Sequence, residues 1–281
     1  MDFKPEHMNA DRDDFAGNDG IGRYVFLPGS DGRARQISES FSNVTVREHG
    51  RRHNIYKGTL VHDQKKIDVA AISSGMGTPS LDIIVNELYR LGVKRFLRVG
   101  TAGLLQPGYM KAGDFVIGTG AVKDDGATQN YVPPEIPAIA SLDFVLAGRE
   151  AGTELNFTSR MHTGLMHSKG SLYAREFKTG PLAEESSAYM KVLTDAGVLA
   201  SEMESAMLFT LASIFNQQMR LKYGSSLPSG RVKAGAVCVI LGEGADFGTA
   251  GELKKITRDL IDLSVLTVKK LAVREMKMMD N

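Results

Sequence analysis

The segment Val93-Lys-Arg-Phe-Leu-Arg-Val-Gly-Thr-Ala-Gly103 reads as an apolar strand that closes in a glycine turn, with an arginine near its end. Burying an unpaired guanidinium costs several kcal/mol, so Arg98 either meets an anion or lies on a half-exposed edge strand. Phosphate is the fitting anion: Arg98 can hold it bidentately while the Thr101 hydroxyl and the amides from Gly100 to Gly103 line the same concavity. Outward from this strand, short apolar runs alternate with helical stripes. Strands are expected at Tyr24–Leu27, Ile55–Val61, Ile67–Ser73, Arg95–Val99, Phe115–Thr119, Thr158–Leu165 and Val232–Leu241. Helices are expected at Arg33–Phe41, Ser80–Leu91, Leu142–Ala151, Ser187–Asp195, Glu204–Gln217 and Gly251–Leu271. Leu81, Ile84, Val85 and Leu88 share one helix face, as do Leu253, Ile256, Leu260 and Leu263, and such stripes face a core. The pattern is that of an α/β domain.

A second stretch, Ala200-Ser-Glu-Met-Glu-Ser-Ala-Met207, sets Glu202, Met203 and Glu204 ahead of a helical stripe of Met207, Leu208, Leu211, Ala212 and Phe215. The helix dipole and free amides would keep Glu204 ionised and fixed. A fixed carboxylate can accept two hydrogen bonds from a vicinal diol such as that of ribose; the same residues can also serve as a capping pair. Near the N-terminus, Tyr24-Val-Phe-Leu-Pro-Gly-Ser-Asp-Gly-Arg33 repeats the order of strand, turn and arginine. There Gly29 allows close backbone approach and Arg33 opens the next helix.

Together these segments resemble the nucleoside phosphorylase family (the purine/uridine phosphorylase superfamily), and within it most closely the uridine phosphorylase branch. The family patterns are Pro-Gly-(Asp/Ser)-x-x-Arg, Arg-(Ile/Val)-Gly-Thr-x-Gly and Glu-Met-Glu-(Ser/x)-Ala, met here in that order from Pro28 to Ala206. The resemblance implies one domain over residues 21–281, with a mixed, partly closed central sheet flanked by helices, preceded by an N-terminal arm over residues 1–20. It also implies a pentosyltransferase that splits uridine with inorganic phosphate, reversibly, into uracil and ribose 1-phosphate. Purine nucleoside phosphorolysis, nucleoside hydrolysis on the same fold and a catalytically silent nucleoside-binding paralogue are the alternatives. Carried over residue by residue, Gly29, Arg33, Arg98 and Thr101 would hold phosphate, with Arg51 or Arg52 reaching in from a neighbouring subunit. Glu202, Met203 and Glu204 would hold ribose, with the neighbour's His7 at the 5'-hydroxyl, and Arg98 and Glu204 would be the catalytic residues. A homodimer or higher homo-oligomer follows from that sharing.

At the base, the family's Gln-x-Arg pair gives way to Lys169-Gly-Ser-Leu-Tyr-Ala-Arg-Glu-Phe177. Arg175 stands in for the family arginine. Lys169 or Glu176 either supplies what the glutamine did or is a surface loop charge. Ala102, Gly103, Leu172, Ile240 and Leu241 complete the expected base pocket. Ile240 and Leu241 occupy the place where purine enzymes of the family carry a Ser-Asp that protonates the departing base; here they make an apolar wall suited to a small ring. Asp246, further on, reads as a turn residue.

Length and composition agree with an enzyme of this kind: 281 residues, 42% hydrophobic, formal charge +1. The balanced charge offers no case for nucleic acid or an anionic membrane surface. No apolar run approaches the ~18 residues of a membrane span, and the polar, acidic first residues are not a secretory signal. The lone Cys238 fits a reducing cytoplasm. No cofactor is expected, because the Gly75/Gly77 and Gly118/Gly120 pairs lack the third glycine of a dinucleotide fingerprint. No metal is expected either: His49 and His53 stand among arginines that repel a cation. Lys222–Arg231 reads as a loop inserted between a helix and a strand.

Overall fold

The computed structural model describes residues 3–224, 231–242 and 250–279. The chain runs β1 (Tyr24–Pro28), α1 (Asp31–Ser38), β2 (Ser42–Arg47), β3 (Ile55–His62), β4 (Lys65–Ile72), α2 (Thr78–Arg90), β5 (Arg95–Leu104) and β6 (Phe115–Asp124). It continues through β7 (Ala138–Ile139), α3 (Leu142–Glu154), β8 (Met161–Lys169), α4 (Leu172–Arg175), α5 (Ala183–Asp195), β9 (Ala200–Glu202), α6 (Ser205–Tyr223), β10 (Lys233–Gly242) and α7 (Ala250–Met279). The strands form one mixed sheet in the order β10-β6-β8-β9-β5-β1-β4-β3-β2, with β7 on β6, and β10 also pairs β5 so that five strands close into a ring. The α/β class with a partly closed sheet is therefore the observed one.

The branching at β5 makes the site. From Arg95 to Val99 this strand lies between β1 on one side and β10 on the other, with Leu27 opposite Arg98 and Pro28 opposite Val99. Then β1 ends. Only at Gly103 and Leu104 does β9 take over that side, opposite Ser201 and Ala200. Between these partners the strand is flanked only by β10, and the sheet opens into a cleft at the strand ends.

Here the structure differs from the expected glycine turn: β5 runs on through Gly100 to Leu104 because its ladder with β10 continues. Glycine is needed for crowding instead. A Cβ on Gly100 would stand 2.8 Å from the Cys238 Sγ and 2.9 Å from the Arg98 Nη2.

The helices cover both sides of the sheet. On one, Tyr89 of α2 stacks on Phe215 of α6 with ring centroids 3.8 Å apart. On the other, α7 is pinned by its buried Glu275, which meets Arg95 (2.9 Å), Lys233 (2.8 Å) and the Tyr24 hydroxyl (2.5 Å). Helix α1 stops at Ser38, short of the expected Phe41, and after three more residues the edge strand β2 begins at Ser42. β8 starts after a 3-10 turn at Thr158–Arg160 and runs on to Lys169. Residues of the expected arm lie against the domain, with Met8 and Phe15 buried and the Asn18 amide bonded to the Asp68 carbonyl. The middle of the expected loop at Lys222–Arg231, and Asp246, lie outside the described residues.

Candidate active site

Glu202 closes β9 and Glu204 stands just before α6, and the two carboxylates have different jobs. Glu202 accepts the amides of Glu204 (2.9 Å) and Ser205 (2.9 and 3.0 Å) and the Ser168 hydroxyl. It is therefore the helix cap. Glu204 makes no capping bond; its Oε1 accepts the Gly77 amide at 2.6 Å and its Oε2 pairs with the Arg98 Nη2. Arg98 also reaches Glu202 through Nε at 3.2 Å. All three groups are almost fully buried.

The electrostatics follow from that geometry. Burial alone would raise the Glu202 carboxyl, but Arg98, the Ser168 hydroxyl and the two amides outweigh it and hold Glu202 below its ordinary value. Glu204 goes the other way, pushed up by burial and by the charge of Glu202 against the pull of Arg98. The expectation that the helix dipole keeps Glu204 ionised is thus corrected: the Arg98 guanidinium is its countercharge. Arg98 is held protonated by both glutamates despite burial, and its Nη1, also buried, has no hydrogen-bond partner among the described residues. Beside it lies Arg33, pushed below its ordinary value by burial and by the Arg98 charge, with no carboxylate partner among the described residues. Two neighbouring guanidiniums, one with a free buried donor, form a socket for an anion.

This socket opens into a cavity of about 310 Å³. Gly29, Ser30, Arg33, Arg98 and Thr101 line one part of it, and Met76, Met203 and Glu204 another. Ser30 caps α1, accepting the Arg33 amide. Ala102, Gly103, Leu172 and Leu241 contribute the apolar surface. Ile240 does not line the cavity. It is fully buried, one residue out of phase with Leu241 on a strand whose side chains alternate.

Arg175 departs furthest from expectation. Its Nε and Nη2 bind both carboxylate oxygens of Asp124 at 2.7 and 2.9 Å, its guanidinium lies 4.6 Å from the Tyr189 ring, and it does not line the cavity. The short helix α4 turns it away. In its stead Lys169 and Glu176 line the cavity; both side chains are buried, paired at 2.5 Å, so neither is a surface loop charge. Lys169 is further fixed by the carbonyl and hydroxyl of Ser201, whose hydroxyl meets the buried His167, whose other nitrogen meets Asp124 at 3.0 Å.

His7 bonds Glu87 on α2 at 2.8 Å, and Arg51 and Arg52 project from an exposed turn; none of the three lines this protomer's cavity. Met76 and Ser201 also line the cavity and the Gly77 amide meets Glu204, three groups outside the motifs that mark the site in the sequence. The signal for two of them was present in Gly75-Met-Gly77, whose glycines take φ of +72° and +81° and set the turn that points an amide at Glu204. Burial pushes the Cys238 thiol up to about 12, which leaves it inert. A second concavity of about 600 Å³ contains Arg160, but that guanidinium is already engaged by Asp259 and the Gly113 carbonyl. Among the described residues no group of His, Cys, Asp or Glu is arranged to hold a metal, and no helix is long and apolar enough to cross a membrane.

An anion socket joined through one arginine to an anchored glutamate, at the open end of a partly closed sheet, defines a class that the family comparison identifies. Residues 23–258 match the model of the phosphorylase superfamily, and the chain belongs to that family. It is a nucleoside phosphorylase, a pentosyltransferase. A uridine phosphorylase of Treponema pallidum is 34% identical over 79% of this chain and 78% of that protein. One of Thermococcus kodakarensis is 32% identical over 83% and 78%. A guanosine phosphorylase of Halorubrum lacusprofundi is 31% identical over 86% and 89%.

Proposed function

We propose that the protein is a uridine phosphorylase. Phosphate sits between Arg33, Arg98, Thr101 and the Gly29 turn, and the ribose diol is held by Glu204 against Met203. A phosphate oxygen attacks C1' as the C1'–N1 bond breaks, giving ribose 1-phosphate and a uracil anion that takes its proton from solvent. The oxocarbenium-like transition state is stabilised by the phosphate charge below it and by the fixed sugar. The observation that carries the reading is the free Nη1 of Arg98: the same guanidinium that anchors Glu204 keeps one buried donor for an anion.

Arg51 or Arg52, and His7, come from an adjoining copy in a cytoplasmic homodimer or higher oligomer, while residues 1–20 form an arm on a 21–281 domain. A second reading, guanosine phosphorolysis, is favoured by the Halorubrum relative. Assaying uridine, thymidine, guanosine and inosine side by side, with and without phosphate, separates the two. Uridine turning over fastest, and only with phosphate, supports the first; guanosine turning over fastest supports the second.

A further inference from the structure

We propose that Glu176 reads the N3–H of the base, with Lys169 as its positioning residue, so that the site accepts an oxo-pyrimidine and rejects an amino-pyrimidine. The inference rests on the uridine reading and deepens it.

Glu176 uses only one of its two oxygens on the protein. Its Oε2 meets Lys169 at 2.5 Å, whereas Oε1 accepts no hydrogen bond among the described residues. That free oxygen lies against β5: a Cβ on Gly103 would come within 1.7 Å of it, so only glycine leaves the carboxylate its seat. Of the two oxygens only Oε2 is buried; Oε1 is an open acceptor inside the cavity that also holds the anion socket and Glu204, placed to take a donor from whatever fills the space. With the ribose diol on Glu204 and phosphate at Arg33 and Arg98, the group left to supply that donor is the base, and an aromatic C–H is too weak. Uracil presents N3–H flanked by carbonyls, which suit an acceptor beside an ammonium. Cytosine presents a bare N3 lone pair, which would face the carboxylate at close range, and once the ribose is fixed the ring cannot turn to avoid it.

The pair is braced for this. Lys169 is tied to Ser201, Ser201 to His167, His167 to Asp124, and Asp124 to Arg175, a line of buried or half-buried polar groups running from the cavity to α4. Arg175 thus acts on the base site through four intermediaries and touches no base.

The test compares uridine, N3-methyluridine and cytidine in phosphorolysis, and the free bases by titration calorimetry, for the wild type, Glu176→Gln and a Lys169→Met/Glu176→Met double variant. The double variant removes both charges and so leaves no unpaired ion in the core. Wild type should prefer uridine and uracil over both analogues by about 100-fold or more, as expected of a site that must satisfy a buried polar group. In Glu176→Gln the preference over cytidine should shrink at least about tenfold, because an amide can donate to N3 as well as accept from it. In the double variant the preference over N3-methyluridine should vanish. A purely structural pair would lower the melting temperature and leave these ratios in place. Unchanged ratios, a wild type that treats uracil and 3-methyluracil alike, or one that binds neither would overturn the assignment. Loss of phosphate dependence with the base ratios intact would instead overturn the phosphorolysis reading alone.

Discussion

At the scale of the residue, Arg98 spends Nε on Glu202 and Nη2 on Glu204, which leaves Nη1 for a ligand. Removing it strands two buried carboxylates at a cost of about 3–5 kcal/mol, so Arg98→Ala confounds binding with folding. Arg33 is the cleaner probe. In phosphate-free buffer Arg33→Ala should melt no lower than wild type, since a like-charge contact is relieved. Phosphate at 100 times its Kd should stabilise wild type by about 2.7 kcal/mol and the variant much less; equal stabilisation, read by calorimetric melting, would remove Arg33 from the socket. Glu204→Gln should lower turnover of uridine at least about tenfold more than that of 2'-deoxyuridine, because only the ribonucleoside uses both bonds to the carboxylate. An unchanged ratio in paired kinetic assays would contradict the ribose role. The sequence put both glutamates in the site, but which one caps the helix was not legible there: capping depends on Ser168 from a distant strand.

At the scale of the element, strands buried on both faces announce themselves, and β1, β5 and β10 lie within a few residues of where apolar runs put them. What failed to show were elements without such a run. All six residues of β2 are exposed, and the three residues of β9 are hidden in the acidic motif. The glycines at the end of β5 carry the pattern of a turn; only the ladder with β10 shows that they continue the strand. The base segment misled for a similar reason, since α4 decides which charge faces inward and four residues carry too little pattern to show it. Helix α7 offers a test of element attachment. Burial raises the Glu275 carboxyl, but Arg95, Lys233 and Tyr24 outweigh it and hold it below the ordinary glutamate value. A lowered folded-state value gives stability that is complete above the unfolded value and is lost as pH falls through the folded one. Glu275→Gln should therefore cost about 3 kcal/mol at pH 7, and the gap to wild type should narrow as melting is repeated toward pH 3. A gap independent of pH would mean that the carboxylate charge does not hold the helix.

At the scale of the whole molecule, the cavity of one protomer is lined by two arginines, while Arg51 and Arg52 lie exposed on a turn beyond the edge strand β2. If the turn completes a neighbour's site, inactive subunits should rescue one another. Mixing an Arg51→Ala/Arg52→Ala double variant with Glu204→Gln, after subunit exchange, should restore about a quarter of wild-type activity, because half the dimers are mixed and each of those has one intact site. No recovery in the mixture would make the site self-contained. The central claim is that phosphate itself is the nucleophile, and phosphorus NMR of the wild-type protein with uridine and phosphate tests it most directly. A ribose 1-phosphate resonance should grow as inorganic phosphate declines, in step with released uracil, and no uracil should form when phosphate is left out; uracil released at the same rate without phosphate, with no sugar phosphate formed, would contradict it.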